Sequence, residues 1–220
     1  YTPQIADIAA IQDLYGVPTN VETGDTTYGD GNTTGRSIMD MDHDYAFTIV
    51  DSGGIDTIDL SSRSYNQNLS LVVDTFSDLN GKIGNFAIGR GTVIEKAFTG
   101  SGHDTVTGND ANNVIDTSSG NDQIFAGAGV DIIYAGAGDD TIYGGADADL
   151  ISGGEGDDSM VGGTGDDLYY VDSANDQVIE LAGEGTDTIL SSISIALHDS
   201  SVHVEKLILS GTENLNGTGN

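Results

Sequence analysis

A nine-residue alternation of polar and apolar positions runs from Thr99 to Ile179 without insertion or deletion. Eight of the nine units carry Asp at the sixth position, and every unit carries a large apolar residue at the eighth. Two residue classes held in one register over so many units predict a repeat fold, in which each unit supplies one turn and one short strand. The sixth positions are Asp104, Asn113, Asp122, Asp131, Asp140, Asp149, Asp158, Asp167 and Asp176.

Each unit is expected to bend over its first six residues and to extend over its last three. Glycine at the second and fourth positions permits positive φ, which a tight turn requires. Side chains alternate along a strand, so the eighth position faces one side while the seventh and ninth face the other. Two units then complete a coil of eighteen residues with strands in two facing sheets. The pattern predicts an all-β fold, a parallel β-roll with flanking β-strands.

The interior of such a roll is thin, because one side chain in nine is committed to it. A buried Ile or Val contributes roughly 1.5 to 3 kcal/mol, whereas ordering each residue costs about 1 to 2 kcal/mol of backbone entropy. Stacked turns also bring the sixth-position carboxylates to a spacing of about 4.8 Å, where they repel. Ca²⁺ reverses that repulsion, because it binds about six to eight oxygens. The repeat therefore predicts calcium between alternate turns.

The alternation of the units assigns the acids to two edges of the roll. Two pairs are expected to hold metal weakly or not at all: Asn113/Asp131 lacks one charge, and in Asp158/Asp176 the second unit has no turn glycines. About five strong sites are expected, at Asp104/Asp122, Asp122/Asp140, Asp140/Asp158, Asp131/Asp149 and Asp149/Asp167.

The repeat resembles the nonapeptide GGxGxDxUx of the repeats-in-toxin (RTX) family, in which U is a large apolar residue. The resemblance implies an extracellular bacterial domain that type I secretion exports unfolded and that folds on external calcium. It also implies main-chain carbonyl ligands from the turns. Those residues are Gly100, Gly102, Gly120, Gly127, Ala128, Gly129, Gly136, Ala137, Gly138, Gly144, Gly145, Ala146, Gly153, Gly154, Gly156, Gly162 and Gly163.

Four flanking segments are similar to the junction and C-terminal domain of serralysin-type metalloproteases: IADIAAIQDLYG, TGDTTYG, DSGGIDTIDLS and VIEKAFTGSGHD. That resemblance implies one or two further calcium sites. The first would use Glu22, Gly24, Thr26, Asp51, Gly53 and Asp56. The second would use Gly54, Asp56, Val93 and Glu95.

The chain is expected to divide into four parts. Residues 1–18 hold a short amphipathic helix, residues 5–15, which resembles the end of a serralysin catalytic domain. Residues 19–98 form a β-rich flank, 99–179 the roll, and 180–220 a second β flank. The last segment, VEKLILSGTENLNGTGN, resembles the approach to the roll and predicts a possible further roll. Earlier in the second flank, GEGTD at 183–187 repeats the turn pattern out of register, which makes Asp187 another candidate ligand.

Composition disfavours several classes of binding partner and of stabilising link. A net charge of −30 disfavours nucleic acid and anionic membranes, and it opposes a compact state without cations. The chain has no cysteine and therefore no disulfide bond, so a bound metal ion is the cross-link expected to stabilise it. It has no apolar run long enough to span a membrane. The DMDHD segment at 40–44 is expected to be a solvated loop rather than a zinc site.

Catalysis by this chain is not expected. Serralysin-type zinc sites need HExxHxxGxxH, and the four histidines, His43, His103, His198 and His203, do not form that motif. The sequence therefore predicts a noncatalytic calcium-binding domain that supports secretion and stability of a zinc metalloprotease, with a catalytic domain as its partner. The alternative is an RTX module of a secreted adhesin or hemolysin-type protein.

Apolar residues also recur at outward positions of the predicted strands. Val114, Ile132, Leu150 and Leu168 share the seventh position on one sheet, and Phe125, Tyr143, Val161 and Ile179 share the ninth on the other. Large exposed apolar patches are unusual. The flanking strands are therefore expected to cover both columns; the alternative is that one column docks a catalytic domain or a substrate.

Overall fold

Short β-strands make up most of the fold. The computed structural model describes residues 12, 14, 21–34, 46–197, 203–211 and 215–218. The first strands are β1 (Thr27–Gly29), β2 (Phe47–Ile49), β3 (Thr57–Asp59), β4 (Asn68–Ser70), β5 (Phe76–Ser77), β6 (Phe86–Ile88) and β7 (Lys96–Phe98). The repeat then forms β8 (Thr105–Thr107), β9 (Val114–Asp116), β10 (Gln123–Ala128), β11 (Ile132–Ala137), β12 (Thr141–Ala146), β13 (Leu150–Glu155), β14 (Ser159–Thr164), β15 (Leu168–Val171) and β16 (Gln177–Ile179). The last are β17 (Thr188–Ser191), β18 (Ile195–Ala196), β19 (Lys206–Leu209) and β20 (Gly217–Thr218).

Within the repeat, the chain visits two parallel sheets alternately. The larger sheet has the order β1-β3-β7-β9-β11-β13-β15-β17-β19, and the smaller has the order β16-β14-β12-β10-β8-β4. Partners lie eighteen residues apart, as in Ile124 with Ile142 and Ile133 with Ile151. The predicted parallel β-roll is therefore confirmed, together with its register.

The core lies between the sheets, where the eighth-position side chains meet. Seven of them, from Val106 to Met160, are fully buried, and so is Tyr169, which occupies the same position in the eighth unit. Residues from the small sheet β2-β6-β5, including Phe47 and Phe86, belong to the same apolar cluster. One continuous core therefore runs from the first flank through the whole repeat.

The flanking strands extend the roll at its ends. β1, β3 and β7 precede the repeat in the larger sheet, and β17 and β19 follow it, so this sheet crosses the sequence positions where the repeat begins and ends. The expected covering of both apolar columns is wrong. Phe125 and Tyr143 stack with ring centroids 5.1 Å apart and remain 38% and 39% exposed, because the flanking strands pair edge to edge with the roll.

Two expectations fall on residues that the structure does not describe. Of the predicted helix over residues 5–15, only Gln12 and Leu14 are described, and both are helical. The DMDHD segment at 40–44 lies outside the described residues.

Candidate metal centre

The sixth-position side chains form two columns, each on one edge of the roll. The first ladder comprises Asp104, Asp122, Asp140, Asp158 and Asp176, which precede the strands of the smaller sheet. The second ladder comprises Asn113, Asp131, Asp149 and Asp167, which precede the strands of the larger sheet. All are buried except Asp176, which is half-buried. The pairing of strands thus stacks the carboxylates as the repeat predicts.

One oxygen of each acid links its turn to the turn before it. The N–H of Asp104 donates to Asp122 Oδ1 at 2.7 Å, and the N–H of Asp122 donates to Asp140 Oδ1 at 2.7 Å. The same contact joins Asp131 to Asp149 at 2.8 Å on the second ladder. Each carboxylate therefore accepts a hydrogen bond from a buried backbone N–H of the adjacent turn. We call each acid of a ladder, together with its turn, a rung.

The second oxygen of the same carboxylates has no protein partner among the described residues. The Oδ2 atoms concerned are buried and belong to Asp104, Asp122, Asp131, Asp140, Asp149, Asp158 and Asp167. Burying a carboxylate oxygen without a partner is costly, so seven repetitions indicate a shared ligand. A hard cation fits this donor set, because it binds carboxylate and carbonyl oxygens.

Burial also raises the pKa of these acids. It raises the pKa of Asp131, Asp149 and Asp158 to about 7, while backbone N–H groups bonded to the carboxylates act in the opposite direction. The pKa of Asp122 is raised to about 6 for the same reason. The described ion pairs, Arg63–Asp30 and Arg90–Asp74, involve none of the ladder acids. The charge of the ladders is therefore compensated by a proton or by a bound cation.

Glycines leave room for the turns to stack. Gly145 has φ +125°, and a Cβ there would lie 1.9 Å from the carbonyl oxygen of Gly127. On the other edge, a Cβ at Gly138 would lie 1.8 Å from the carbonyl oxygen of Gly120. Stacked turns therefore touch through their backbones, which a side chain at these positions would prevent. The main-chain carbonyl ligands stay a prediction.

At two positions where the repeat departs from glycine, a polar residue also takes a positive φ. Ser118 at a second position has φ 65°, and Asp147 at a fourth position has φ 76°. Non-glycine residues rarely adopt this region. The stacked turn geometry therefore prevails over the local preference of the residue.

Asn113 differs from the acids of its ladder. Its amide nitrogen lies 3.4 Å from the carbonyl oxygens of both Ile94 and Glu95 and donates to them, and Asn109 Oδ1 is a third acceptor at 3.2 Å. The amide thus presents its positive end to turn carbonyls. These hydrogen bonds give the turn carbonyls a donor where the rung has no second carboxylate to share a cation.

Asp176 ends the first ladder differently. Its Oδ1 accepts from Asp158 N–H at 3.1 Å, but its Oδ2 accepts from the N–H groups of Asp172 and Ser173 at 3.2 and 3.1 Å. Both oxygens are therefore used within the protein.

The first predicted site of the N-terminal flank is partly assembled. Thr26 donates from its N–H to Asp56 Oδ1 at 2.8 Å and from its hydroxyl to the carbonyl of Gly24 at 2.9 Å. Asp51 Oδ1 accepts from Gly53 N–H at 3.1 Å, and Asp51 Oδ2 accepts from the Tyr28 hydroxyl at 2.5 Å. Burial, followed by the hydrogen bond to Asp51, raises the pKa of Tyr28, and the charge of Glu22 adds a smaller contribution. Glu22 itself has φ 45°.

The second predicted site of that flank is centred on Asp56. Its N–H donates to Glu95 Oε2 at 2.7 Å, while its Oδ2 is buried without a protein partner among the described residues. A Cβ at Gly54 would lie 2.5 Å from the carbonyl carbon of Gly24, so these two segments of the backbone are in contact. Val93 precedes Glu95, and its side chain is exposed. Thr26, Asp56 and Glu95 thus repeat the rung-to-rung contact of the ladders.

The second ladder also continues past the repeat, which the nine-residue period does not reveal. Asp187 Oδ1 accepts from Asp167 N–H at 2.9 Å, and Glu205 Oε2 accepts from Asp187 N–H at 2.8 Å. Asp187 was a candidate from its GEGTD turn, whereas Glu205 was missed. The available signal was the likeness of VEK at 204–206 to IEK at 94–96, because Glu95 and Glu205 make the same contact with a preceding acid.

Fold and site together define a parallel β-roll with carboxylates stacked along both edges. The chain matches the family described as Peptidase M10 serralysin C terminal over residues 18–215. It therefore belongs to the serralysin C-terminal family, as the sequence resemblance indicated.

Individual relatives agree with this assignment. Metallopeptidase AprA of Pseudomonas marginalis is 46% identical over 116 residues, which is 51% of this chain and 24% of the relative. Serralysin G of Dickeya chrysanthemi is 46% identical over 113 residues, covering 50% of this chain and 24% of the relative. The serralysin of Proteus mirabilis is 39% identical over 116 residues. The chain spans about a quarter of the length of these relatives.

The chain corresponds to the noncatalytic part of that family and carries no HExxHxxGxxH motif. Its described residues include no helix with the length and apolar character needed to cross a bilayer.

Proposed function

We propose that this chain is the calcium-binding domain of a secreted bacterial zinc metalloprotease, and that calcium folds it outside the cell. The observation that carries this proposal is the recurrence of a buried, unpartnered carboxylate oxygen at seven sixth-position acids. Two such oxygens from stacked turns, together with turn carbonyls, supply the ligand chemistry that calcium prefers. The five strong pairs of the roll and one or two sites around Asp56 are the proposed binding sites.

The charge of the chain supports a role in type I secretion. A net charge of −30 opposes a compact state where calcium is scarce. The chain then remains unfolded and suited to export, and it folds where calcium is abundant. The folded roll would in turn stabilise the catalytic domain of the parent protein. Relatives named as a metallopeptidase and a metalloprotease favour that parent over an adhesin or hemolysin-type protein.

A calcium titration of the purified chain followed by far-UV circular dichroism tests calcium binding. We expect a cooperative gain of β-structure with Ca²⁺ and little gain with equimolar Mg²⁺, because Mg²⁺ demands a stricter octahedral geometry. The same β-signal in excess chelator would contradict the proposal.

The coding sequence upstream of Tyr1 tests whether the parent protein is a zinc protease. A helix with HExxHxxGxxH there supports a zinc protease. An adhesion domain in its place would contradict that part of the proposal.

A further inference from the structure

Glu180 occupies an exceptional place in the roll. It directly follows β16 and lies eighteen residues after Gly162, at the first position of a turn on the edge of the second ladder. The corresponding residues of the preceding turns are Gly162, Gly144 and Ala126, which have little or no side chain. Glu180 is nevertheless 3% exposed. A carboxylate at this position enters the space that the other turns leave to the sixth-position acid.

The side chain of Glu180 meets two acids of the second ladder. Ligand oxygens of Asp167, Glu180 and Asp187 all lie within 4.8 Å of one another, and all three residues are buried. Oδ1 of Asp167 accepts from Asp149 N–H at 2.7 Å, and Oδ1 of Asp187 accepts from Asp167 N–H at 2.9 Å. Backbone contacts therefore fix both ladder acids independently of Glu180.

Tyr169 positions Glu180. Its hydroxyl donates to Glu180 Oε1, and its ring fills the eighth position, where most other units carry an aliphatic residue. Gly162 leaves space for this contact, because a Cβ there would lie 2.1 Å from both the Tyr169 hydroxyl oxygen and Asp167 Oδ2. Three features of the sequence, Gly162, Tyr169 and Glu180, thus combine to hold one carboxylate in place.

Two oxygens in this cluster lack a protein partner among the described residues. Glu180 Oε2 and Asp167 Oδ2 are both buried and unpartnered. Their residues are 3% and 1% exposed, so solvent does not compensate for the missing contacts. Three carboxylates with two unpartnered oxygens favour a cation, and a donor set made only of oxygen selects a hard one.

We infer that Asp167, Glu180 and Asp187 form a calcium site that closes the second ladder beyond the repeat. The inference rests on the proposed calcium function and adds a site with three carboxylates instead of two. Asp167 and Asp187 are twenty residues apart, compared with eighteen between repeat acids, and the site bridges this irregular turn. Calcium here ties β17, which begins at Thr188, to the end of the roll. Tyr169 is a positioning residue, since it acts through Glu180.

Native mass spectrometry of the full chain in calcium tests the site through the number of ions bound. We expect Glu180→Gln to bind one ion fewer than the unmodified chain. Glu155→Gln is the matched control, because Glu155 is exposed and outside the cluster, and it should bind the full number. An unmodified chain that binds no calcium would overturn the proposed function itself. Ions bound in equal number and with equal affinity by all three proteins would overturn this inference alone.

A second variant decides the question if Glu180→Gln does not fold in saturating calcium. Tyr169→Phe keeps the ring and all three carboxylates but removes the hydroxyl that orients Glu180. We expect the affinity for one ion to fall about tenfold or more, as for other positioning contacts of metal ligands. Unchanged affinity for every ion would overturn the inference.

Tyrosine-sensitised terbium luminescence separates binding from a structural role. Tb³⁺ in the site would lie beside the Tyr169 ring. In folded Glu180→Gln we expect a partial loss of signal although Tyr169 is retained, because Tyr28 beside Asp51 can still sensitise another proposed site; Glu155→Gln should match the unmodified chain. A signal that survives Glu180→Gln unchanged would contradict the site.

Discussion

The first ladder ends inside the repeat at Asp176, whereas the second continues beyond the repeat at both ends. In the first, Asp176 uses its second oxygen for the N–H groups of Asp172 and Ser173. In the second, the same rung contact recurs from Asp167 to Asp187 and Glu205, and it also joins Asp56 to Glu95 before the repeat. The contact between a carboxylate and the N–H of the previous rung, rather than the nine-residue period, therefore defines how far the ladder extends.

The largest effect is expected from breaking the first ladder in its middle. Asp140→Ala leaves the N–H of Asp122 without its acceptor and removes one ligand from each of two predicted sites. We expect a loss of about 3 kcal/mol or more in the free energy of unfolding at saturating calcium. Asp176→Ala, at the closed end, should cost about 1 kcal/mol. Urea unfolding measures both, and equal losses would contradict the pairing of acids along the ladder.

Stacking of turns on the second ladder gives the next largest effect. Gly145→Ala would bring a Cβ to 1.9 Å from a backbone oxygen at a residue with φ +125°, so we expect a loss of more than about 2 kcal/mol. Gly81→Ala is the control for the backbone conformation alone. Gly81 has φ +73°, but a Cβ there would meet only Tyr65 Cδ1 at 3.7 Å, an ordinary contact, so we expect a loss of about 1 kcal/mol. Similar thermal shifts for both variants would argue against the described turn geometry.

A carboxylate introduced at the neutral rung of the second ladder sharpens the comparison between the two ladders. Asn113→Asp replaces the amide that donates to Ile94 and Glu95 with a carboxylate facing Asp131. We expect one additional calcium ion per chain by native mass spectrometry. An unchanged number of ions would show that charge at this rung does not control occupancy.

Acid should affect the metal-free and calcium-loaded forms in opposite directions, with a smaller effect. Burial raises the pKa of Asp131 and Asp149 to about 7, whereas the ordinary value is 3.8. Between these values the folded metal-free chain binds more protons than the unfolded chain, so its stability increases as the pH falls. Protons also compete with calcium for the same oxygens. From pH 8 to 5.5 we expect the far-UV β-signal of the chain in chelator to rise and its calcium affinity to fall. A β-signal in chelator that falls over this range would contradict the burial of these acids.

The repeat predicted the central part of the fold because its spacing is also its strand register. Ile133 pairs with Ile151 simply because both occupy the eighth position of alternate units. The stacking of the ladder acids follows from the same register. The hydrogen bond from each N–H to the next Oδ1, which leaves Oδ2 free for a cation, could not be derived from spacing. It depends on the rotamer that the turn imposes on each Asp.

The flanks were harder to predict because their rungs are separated by irregular loops. Thr27 pairs with Thr57 and Thr57 pairs with Lys96, offsets that no nine-residue period contains. The individual strands of the β-rich flank therefore do not follow from the repeat. Glu180 was missed for a different reason. Its role depends on Tyr169 replacing an aliphatic core residue, and a sequence pattern does not show that the hydroxyl reaches the turn.

Calcium anomalous scattering from crystals grown in calcium tests the central claim most directly. The account predicts peaks between rungs of both ladders, within about 2.3 to 2.6 Å of the Oδ2 atoms that lack a protein partner among the described residues. It predicts no peak between Asn113 and Asp131. Ladders that show no anomalous peaks, with those oxygens bound to water or to protein groups, would contradict the conclusion that cations hold the turns together.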